Sequence, residues 1–504
     1  MHYVCIHGHF YQPPRENPWT GDVEVQDSAA PYHDWNARIT AECYWPNAKA
    51  RVLDAHEHLA AIVNNYAAIS FNFGPTLCSW LQRHEPELLA TIIEADRHSR
   101  ERHHGHGNAL AQAYGHAILP LCNARDRTTQ IAWGIRDFIY RFGRSPEGMW
   151  LPEAAVDLAT LEALAAQGIT FTILAPHQAK RVRPPGHVAW RSVASEQLDT
   201  TRPYLCRLPS GKTMSLFFYH GGLARGVAFD GLLHSGEDLM ARIVATFSSE
   251  RQEPQLVQFA TDGESYGHHH RFGEMALAFA TLELRRRNLA TLTNYGEFLA
   301  LSPPRWEVEI AENTSWSCAH GIERWRSHCG CHINGEASWT QEWRAPLRLA
   351  LDWLGCELDA LFERRGAVLF ADPWVARDAY INVLLDRSPG RLDEFFAEQA
   401  HFKLSPTQRV EARQLLELQR HRLLMFTSCG WFFDDVSGLE GRQILQYAAR
   451  AVELAKDLGS PVEAEFVWRL GRVVSNVPDE QDAGHIYLKK VLPRRGARGA
   501  GFVL

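Results

Sequence analysis

A series of short apolar segments constrains the fold of this chain more than any other feature. They lie at residues 3–6, 69–73, 170–174, 213–219 and 256–260, with a weaker one before residue 153. Their near-continuous apolar character is typical of parallel strands buried on both faces. Segments with helical periodicity lie between them, which predicts an α/β fold, either a parallel barrel or a doubly wound sheet.

Polar and ionisable residues follow the ends of these predicted strands. His7 and His9 follow the first strand, and Glu153 follows the segment ending at Pro152. His220 follows residues 213–219, and Asp262 follows residues 256–260. In a parallel barrel the carboxyl ends of all strands lie on one face, and that face holds the active site. The repeated placement favours an enzyme over a structural protein.

The pattern changes after about residue 305, where strand signals fade and helical periodicity takes over. Long helices are predicted at residues 341–365, 405–426 and 439–459. We therefore expect a catalytic domain over 1–305 and a helical domain over 306–492 that completes the active-site cleft. Residues 493–504 lack periodicity and are expected to form an irregular tail, which could be a truncated or altered terminus.

Composition and charge exclude several classes of partner. The net charge of −7 and the lack of a long basic run argue against nucleic acid. No run of about 18 apolar residues occurs, so we expect no transmembrane helix and no membrane partner. Ten scattered cysteines without an export signal indicate reduced thiols and a cytoplasmic protein. These features leave the oligomeric state open.

Two carboxylates are the strongest candidates for chemistry. Glu153 and Asp262 each follow a predicted buried strand, and glycoside hydrolysis requires such a pair, one as nucleophile or base and one as acid. A helix cap or a structural ion pair is the competing explanation for either carboxylate alone. The neighbours Trp150 and Glu264 favour the catalytic interpretation, since an aromatic ring can stack on sugars and a nearby charge can shift a pKa.

The histidines allow two interpretations. His7 and His9 point the same way on an extended segment, a spacing that suits either a metal site or two hydrogen-bond partners for sugar hydroxyls. Three histidines at 268–270 cannot all face one point, and we expect only His268, nearest the strand end, to enter the site.

A further group lies in residues 315–344, which carry Cys318, His320, Cys329, Cys331 and several tryptophans. Their spacing differs from the usual two-residue zinc knuckle, so we expect no metal there. A loop that closes over a sugar site, with Trp316 in contact with substrate, and an interdomain packing segment are the two alternatives. Neither a phosphate-binding glycine loop nor a G-x-S-x-G elbow occurs in a strand–turn–helix context, and no cofactor is expected.

Four motifs, taken in order, resemble those of glycoside hydrolase family 57. They are H-x-H-x-x-Q-P at 7–13, FNFGP at 71–75, WLPE at 150–153 and D-G-E-x-x-G-H at 262–268. The resemblance covers about the first 300 residues. From residue 312 onward the chain resembles a domain of unknown function that is attached to one subgroup of this family.

The resemblance implies a (β/α)7 parallel barrel followed by an α-helical C-terminal domain. It implies a retaining enzyme that acts on α-1,4-linked glucans or maltooligosaccharides, as hydrolase or glucanotransferase. Glu153 would be the nucleophile and Asp262 the acid/base. The residues expected to bind substrate are His7, His9, Gln12, Trp150, Glu264, His268 and Trp316.

Two other functions are compatible with the same residues. A metal-dependent carbohydrate hydrolase or deacetylase would use His7, His9 and Asp262 to hold Zn²⁺ and a bound water. A catalytically silent glucan-binding protein would keep the fold without the reaction. Hydrolysis and transfer are themselves not distinguished by the sequence, because the acceptor decides between them.

Overall fold

The structure is a computed structural model that describes residues 1–54, 56–194, 197–333, 336 and 338–496. The chain divides into two compact units, which interleave along the sequence. The first contains Met1–Gln12, Val25–Ala113 and Phe138–Trp316, and the second contains Pro13–Glu24, Tyr114–Asp137 and Ser317–Leu504.

Fourteen strands occur among the described residues. They are β1 (His2–Phe10), β2 (Ala50–Leu53), β3 (Leu59–Val63), β4 (Ser70–Phe73), β5 (Ala111–Gln112), β6 (Met149–Trp150), β7 (Phe171–Leu174), β8 (Ala179–Arg183), β9 (Arg191–Ser192), β10 (Tyr204–Arg207), β11 (Thr213–Phe218), β12 (Gln255–Asp262), β13 (Thr291–Leu292) and β14 (Trp306–Ile310).

Seven of these strands form a parallel series in the first unit. β1 pairs in parallel with β12 on one side and with β4 on the other. Parallel ladders join β5 to β6 and β7 to β11. A single parallel bridge from Phe71 to Ala109 links β4 to the segment just before β5. A second bridge, from Gly148 to Phe171, links the residue just before β6 to β7. The order β12-β1-β4-β5-β6-β7-β11 confirms the predicted parallel α/β class.

The first strand is longer than expected. A strand was predicted at residues 3–6, whereas β1 continues to Phe10 and has His7 and His9 within it. Both histidines are almost fully buried, at 0% and 4% exposure. Buried polar side chains need hydrogen-bond partners, and β4 supplies them for both histidines, so the strand can continue through them.

The helices that alternate with these strands include α6, which has a cap at each end. The Asp157 side chain accepts a hydrogen bond from the Thr160 backbone at 2.7 Å, and Gly168 has a φ of +87° just past the helix end. These helices are α1 (Trp35–Ile39), α2 (Trp45–Ala48), α3 (Pro75–His84), α4 (Pro86–Arg102), α5 (Ala124–Phe142), α6 (Leu158–Ala166), α7 (Gly221–Ala228), α8 (Gly236–Ala245), α9 (Gly273–Arg286) and α10 (Tyr295–Leu301).

The later part of the chain is helical, as predicted. The three long periodic segments correspond to α11, α15 and α17, and α15 packs against both of the others. The helices are α11 (Arg344–Leu369), α12 (Pro373–Ala379), α13 (Ile381–Leu385), α14 (Pro389–Gln399), α15 (Pro406–Leu424), α16 (Cys429–Phe432), α17 (Leu439–Asp457), α18 (Glu463–Leu470) and α19 (Ala483–Ile486).

The division into units differs from the boundary expected after residue 305. β14 pairs with β8 and β10, and this pairing keeps residues 306–310 in the sheet of the first unit. Of the expected irregular tail, Leu492–Gly496 form a 3-10 turn, and the rest lies outside the described residues. None of the described helices combines the length and hydropathy that a membrane crossing requires.

Candidate active site

Glu153 lies directly after β6, on the 3-10 turn Pro152–Ala154. Its backbone is left-handed, with φ 57° and ψ 21°, and Ala154 follows with φ 47°. A left-handed residue other than glycine costs about 1–3 kcal/mol, and such strain is concentrated at functional sites. The turn therefore holds the Glu153 carboxylate in a position that an ordinary strand end would not give.

Trp316 fixes Glu153 through two hydrogen bonds. The Trp316 backbone N–H donates to the Glu153 carbonyl at 3.0 Å, and its indole Nε1 donates to Glu153 Oε2 at 3.2 Å. The Glu153 side chain is nearly buried, at 9% exposure for the residue. A carboxylate with a defined rotamer and a donor on one oxygen is suited to act as a nucleophile with the other.

Asp262 is the last residue of β12 and carries the second carboxylate. The residue is exposed at the surface, while the surrounding protein weakens the solvation of its carboxyl group. Burial, and then the negative charge of Glu153, raise the pKa of Asp262 to about 7. Asp262 can therefore hold a proton near neutral pH, as a general acid must. The charge effect means that the two carboxylates lie within electrostatic range of each other.

Glu264 is two residues after Asp262 and is buried. Its Oε1 accepts hydrogen bonds from Tyr44 Oη at 2.7 Å and from the Tyr11 backbone N–H at 3.1 Å. Burial, and then the charge of Asp262, raise the pKa of Glu264 to about 8. Glu264 is thus buried and uncharged at neutral pH, and its hydrogen bonds connect it to Tyr44 and to the Tyr11 backbone.

Steric contacts explain why both glycines of the D-G-E-x-x-G-H motif lack a side chain. A Cβ at Gly263 would lie 2.3 Å from the Phe10 ring. Gly267 has a φ of +137°, and a Cβ there would lie 2.4 Å from the Glu42 carbonyl oxygen. Only glycine allows the chain to leave β12 along this path.

His7 and His9 share one partner, Asn72 of β4. His7 Nε2 lies 3.0 Å from Asn72 Oδ1, and Asn72 Nδ2 donates to His9 Nδ1 at 2.9 Å. The second nitrogen of His7 lies 3.0 Å from Ser70 Oγ. Burial lowers the pKa of each histidine to about 3, so both are neutral. Since both nitrogens of His7 already have partners, His7 supports the site and does not reach a sugar hydroxyl, contrary to the expected contact.

Aromatic rings form the wall beside these histidines. The Trp150 ring stacks on His7 at 4.9 Å and on His9 at 5.1 Å between ring centroids. Trp316 meets Trp150 edge-on at 5.0 Å and Tyr219 at 6.4 Å. Trp150 is fully buried, so it positions its neighbours and presents no face to a sugar, unlike its expected role.

His268 and Gln12 have different surroundings from those expected. His268 Nδ1 lies 2.5 Å from Glu42 Oε2, and its ring meets Trp35 edge-on. Its connection to the carboxylates is through its backbone N–H, which donates to the Glu264 carbonyl at 3.1 Å. Gln12 is half-buried and follows Tyr11. Both remain predicted substrate-binding residues.

Four residues of the site were not singled out from the sequence. Asn72 lies within the FNFGP motif, and Tyr219 ends a predicted strand, so a signal existed for both. Burial and the charge of Asp262 raise the pKa of Tyr219, which places it beside the acid. Tyr44 and Glu42 lie on a π-helical turn, Thr40–Tyr44, without a strand or motif signal.

The metal-dependent alternative is not favoured by this geometry. A zinc site would need one nitrogen from each of His7 and His9 directed at the same ion as Asp262. Both His7 nitrogens instead bond Ser70 and Asn72, and the ring is held against Trp150.

The chain belongs to glycosyl hydrolase family 57, whose family model matches residues 9–311. A second family model, described as a domain of unknown function (DUF3536), matches residues 339–498. Both matches confirm the resemblance that the motifs indicated.

Individual relatives are distant. The chain is 28% identical over 108 residues to alpha-amylase 1 of Dictyoglomus thermophilum, a match that spans 21% of this chain and only 15% of that protein. An exo-type maltose-forming amylase from Pyrococcus sp. ST04 has a similar structure, with a TM-score of 0.69 and 15% identity over 93% of this chain and 82% of that one. A branching enzyme from Thermococcus kodakaraensis has a TM-score of 0.55 and 14% identity, covering 99% and 96%. At these identities the two structures establish the fold alone.

Proposed function

We propose that this protein is a retaining enzyme that transfers glycosyl groups from α-glucans by double displacement. Glu153 is the nucleophile and Asp262 the acid/base. The proposal is supported by the membership in family 57 and by relatives whose names are those of amylases and a branching enzyme. It includes closure of the seven parallel strands into a (β/α)7 barrel, in which all strand ends share one face.

The raised pKa of Asp262 carries the proposal. Glycoside cleavage needs one carboxyl group that is protonated while its partner is ionised. The charge of Glu153 helps to keep the proton on Asp262, with a pKa of about 7. The electrostatics of the pair therefore supports the two proposed roles.

In the first step, a carboxylate oxygen of Glu153 attacks the anomeric carbon while Asp262 protonates the departing glycosidic oxygen. The bond to the leaving sugar breaks and a covalent glycosyl ester on Glu153 forms. The Trp316 indole holds the other carboxylate oxygen in place. His9 and Trp316 are the proposed contacts for the attacked sugar, with His7 and Trp150 supporting them from beneath.

In the second step, Asp262 acts as a base. Esterification removes the negative charge of Glu153, which is one of the two causes of the high pKa of Asp262. The pKa of Asp262 then falls, and the carboxylate can take a proton from the attacking water or sugar hydroxyl. Water gives hydrolysis, and a sugar hydroxyl gives chain transfer or branching.

Product analysis with maltooligosaccharides and amylose tests the proposal. Shortening alone indicates hydrolysis, redistribution of chain lengths indicates transfer, and new branch points indicate a branching enzyme. We expect Glu153→Gln to lower the rate by on the order of a thousandfold or more, because the nucleophile is lost. Glu101→Gln, which changes an exposed glutamate on α4, is the matched control and should keep full activity.

Two outcomes would contradict the proposal. Unchanged glycosyl transfer in the Glu153→Gln variant would show that the reaction does not depend on this carboxylate and occurs at a different site. A first-formed product of inverted anomeric configuration, seen by NMR, would exclude double displacement. Retention corresponds to a carboxyl separation of about 5–5.5 Å, against roughly 6.5–9.5 Å for inversion.

A further inference from the structure

A compact cluster of three thiols and one imidazole lies in the second unit. Cys318, His320, Cys329 and Cys331 each offer one ligand atom, and these four atoms all lie within 4.8 Å of one another. Among the described residues this is the one group of three or more potential metal ligands that converges in this way.

The distances within the cluster are those of a tetrahedral metal site. Cys318 Sγ lies 3.7 Å from Cys331 Sγ and 3.9 Å from Cys329 Sγ, and His320 Nδ1 lies 3.5 Å from Cys331 Sγ. With Zn–S bonds of about 2.3 Å and Zn–N bonds of about 2.0 Å, a tetrahedron has S···S edges of about 3.8 Å and S···N edges of about 3.5 Å. The side chains thus already surround a space of the right size.

The thiols are not arranged as a disulfide. A disulfide bond has an S–S length of about 2.05 Å. The Cys318 sulfur lies 3.7 Å and 3.9 Å from the other two sulfurs, and all three cysteines are free thiols. One sulfur, that of Cys318, approaches both of the others, which a metal requires and a single disulfide does not.

A buried guanidinium balances the charge of such a site. Arg344 is fully buried, and its Nη1 lies 3.8 Å from Cys329 Sγ and donates to the Cys331 carbonyl at 2.9 Å. Three thiolates and one Zn²⁺ carry a net charge of −1, which one arginine neutralises. Donors to ligating sulfurs also orient the ligands and tune the metal.

The segment has little regular secondary structure of its own. From Cys318 to Cys331 the regular structure is one short 3-10 turn, Glu323–Trp325. Gly330, with a φ of +80°, gives the reversal that lets Cys329 and Cys331 face the same point. A metal would close this loop in the way that a disulfide closes loops in secreted proteins.

We propose that Cys318, His320, Cys329 and Cys331 bind one structural Zn²⁺ ion. Four protein ligands leave no open position for a water, which distinguishes a structural from a catalytic zinc. Zinc is preferred to an iron–sulfur cluster because such clusters are usually held by four cysteines. This proposal replaces the expectation, drawn from ligand spacing, that the segment binds no metal, and it is independent of the proposed glycosyl transfer.

Metal analysis of the full-length protein, purified without chelators and under reducing conditions, tests the site. We expect one zinc per chain in the wild type and a near-complete loss in Cys331→Ser and His320→Ala. The matched controls are Cys356→Ser, an exposed thiol on α11, and His332→Ala, an exposed imidazole next to Cys331. Both controls should keep one zinc.

A second measurement does not depend on how well the variants fold. Wild-type protein stripped of metal should take up one Co²⁺ and show the charge-transfer and intense visible bands of tetrahedral cobalt thiolate. Its melting temperature should rise on addition of Zn²⁺. Three results would overturn the proposal: no stoichiometric uptake of either metal by reduced protein, zinc retained in both ligand variants, or a disulfide between Cys318 and Cys329 or Cys331 found by mass spectrometry.

Discussion

The indole nitrogen of Trp316 donates a hydrogen bond to Oε2 of Glu153 at 3.2 Å, while the backbones of the same two residues bond at 3.0 Å. This double link fixes the proposed nucleophile from a residue 163 positions away in sequence. The carboxylate is thereby oriented on a turn that is itself strained.

Removing this donor should slow the reaction. A hydrogen bond to a charged group contributes about 1.5–3 kcal/mol, so Trp316→Phe should lower kcat roughly ten- to a hundredfold. Steady-state kinetics on maltooligosaccharides measure the effect. Trp190→Phe, whose ring instead contacts Arg181 and Arg183, is the control and should keep the wild-type kcat. An unchanged kcat in Trp316→Phe would show that the indole does not act on Glu153.

The pH dependence of the reaction should report Asp262. Its carboxyl group must be protonated to act as the acid, and its pKa is raised to about 7. We therefore expect kcat/KM to fall as the pH rises through about 7. This fall is the alkaline limb of the pH profile. The Glu264→Gln variant should keep it near pH 7, because Glu264 is uncharged at that pH, with a pKa of about 8. An alkaline limb more than one unit away from 7 would contradict the assignment.

The buried carboxyl group of Glu264 should make stability depend on pH. Its pKa is 4.5 in an ordinary setting and about 8 in the fold. Below about 4.5 both states hold the proton. As the pH rises towards 8, the unfolded chain loses the proton first, so the free energy of unfolding falls.

Glu264→Gln keeps an uncharged acceptor for Tyr11 and Tyr44 and should remove this dependence. We expect the variant to be more stable than wild type by a few kcal/mol at pH 8, with little difference at pH 4.5. Thermal melts across this range measure it, with Glu253→Gln, an exposed carboxylate, as the control. A wild type that is as stable at pH 8 as the variant would refute the prediction.

Asn72 should be important for both stability and activity. Its amide bonds His7, His9 and Gln112, all of them buried. Asn72→Ala leaves these groups without their shared partner, which we expect to cost about 3 kcal/mol and to lower kcat. Thermal or chemical unfolding and steady-state kinetics measure both effects. Asn382→Ala, on an exposed face of α13, should change neither by a comparable amount.

The periodicity of the sequence predicted the fold class and the main helices because burial imposes those patterns directly. Strands buried on both faces are continuously apolar, as in β7 and β12, and the helices α11, α15 and α17 follow their periodic segments. The length of β1 was missed because His7 and His9 are polar, and only their bonds to β4 make burial within a strand possible.

The sequence by itself determined the family, through motif order, and the two carboxylates, through their place after buried strands. Only the tertiary structure decided what surrounds them. It showed that Trp316 holds Glu153, that Trp150 stacks on His7, and that four potential ligands spaced unlike a zinc knuckle converge. The physical reason is that strand pairing and loop closure bring together residues far apart in the chain, and the local sequence pattern does not record those distances.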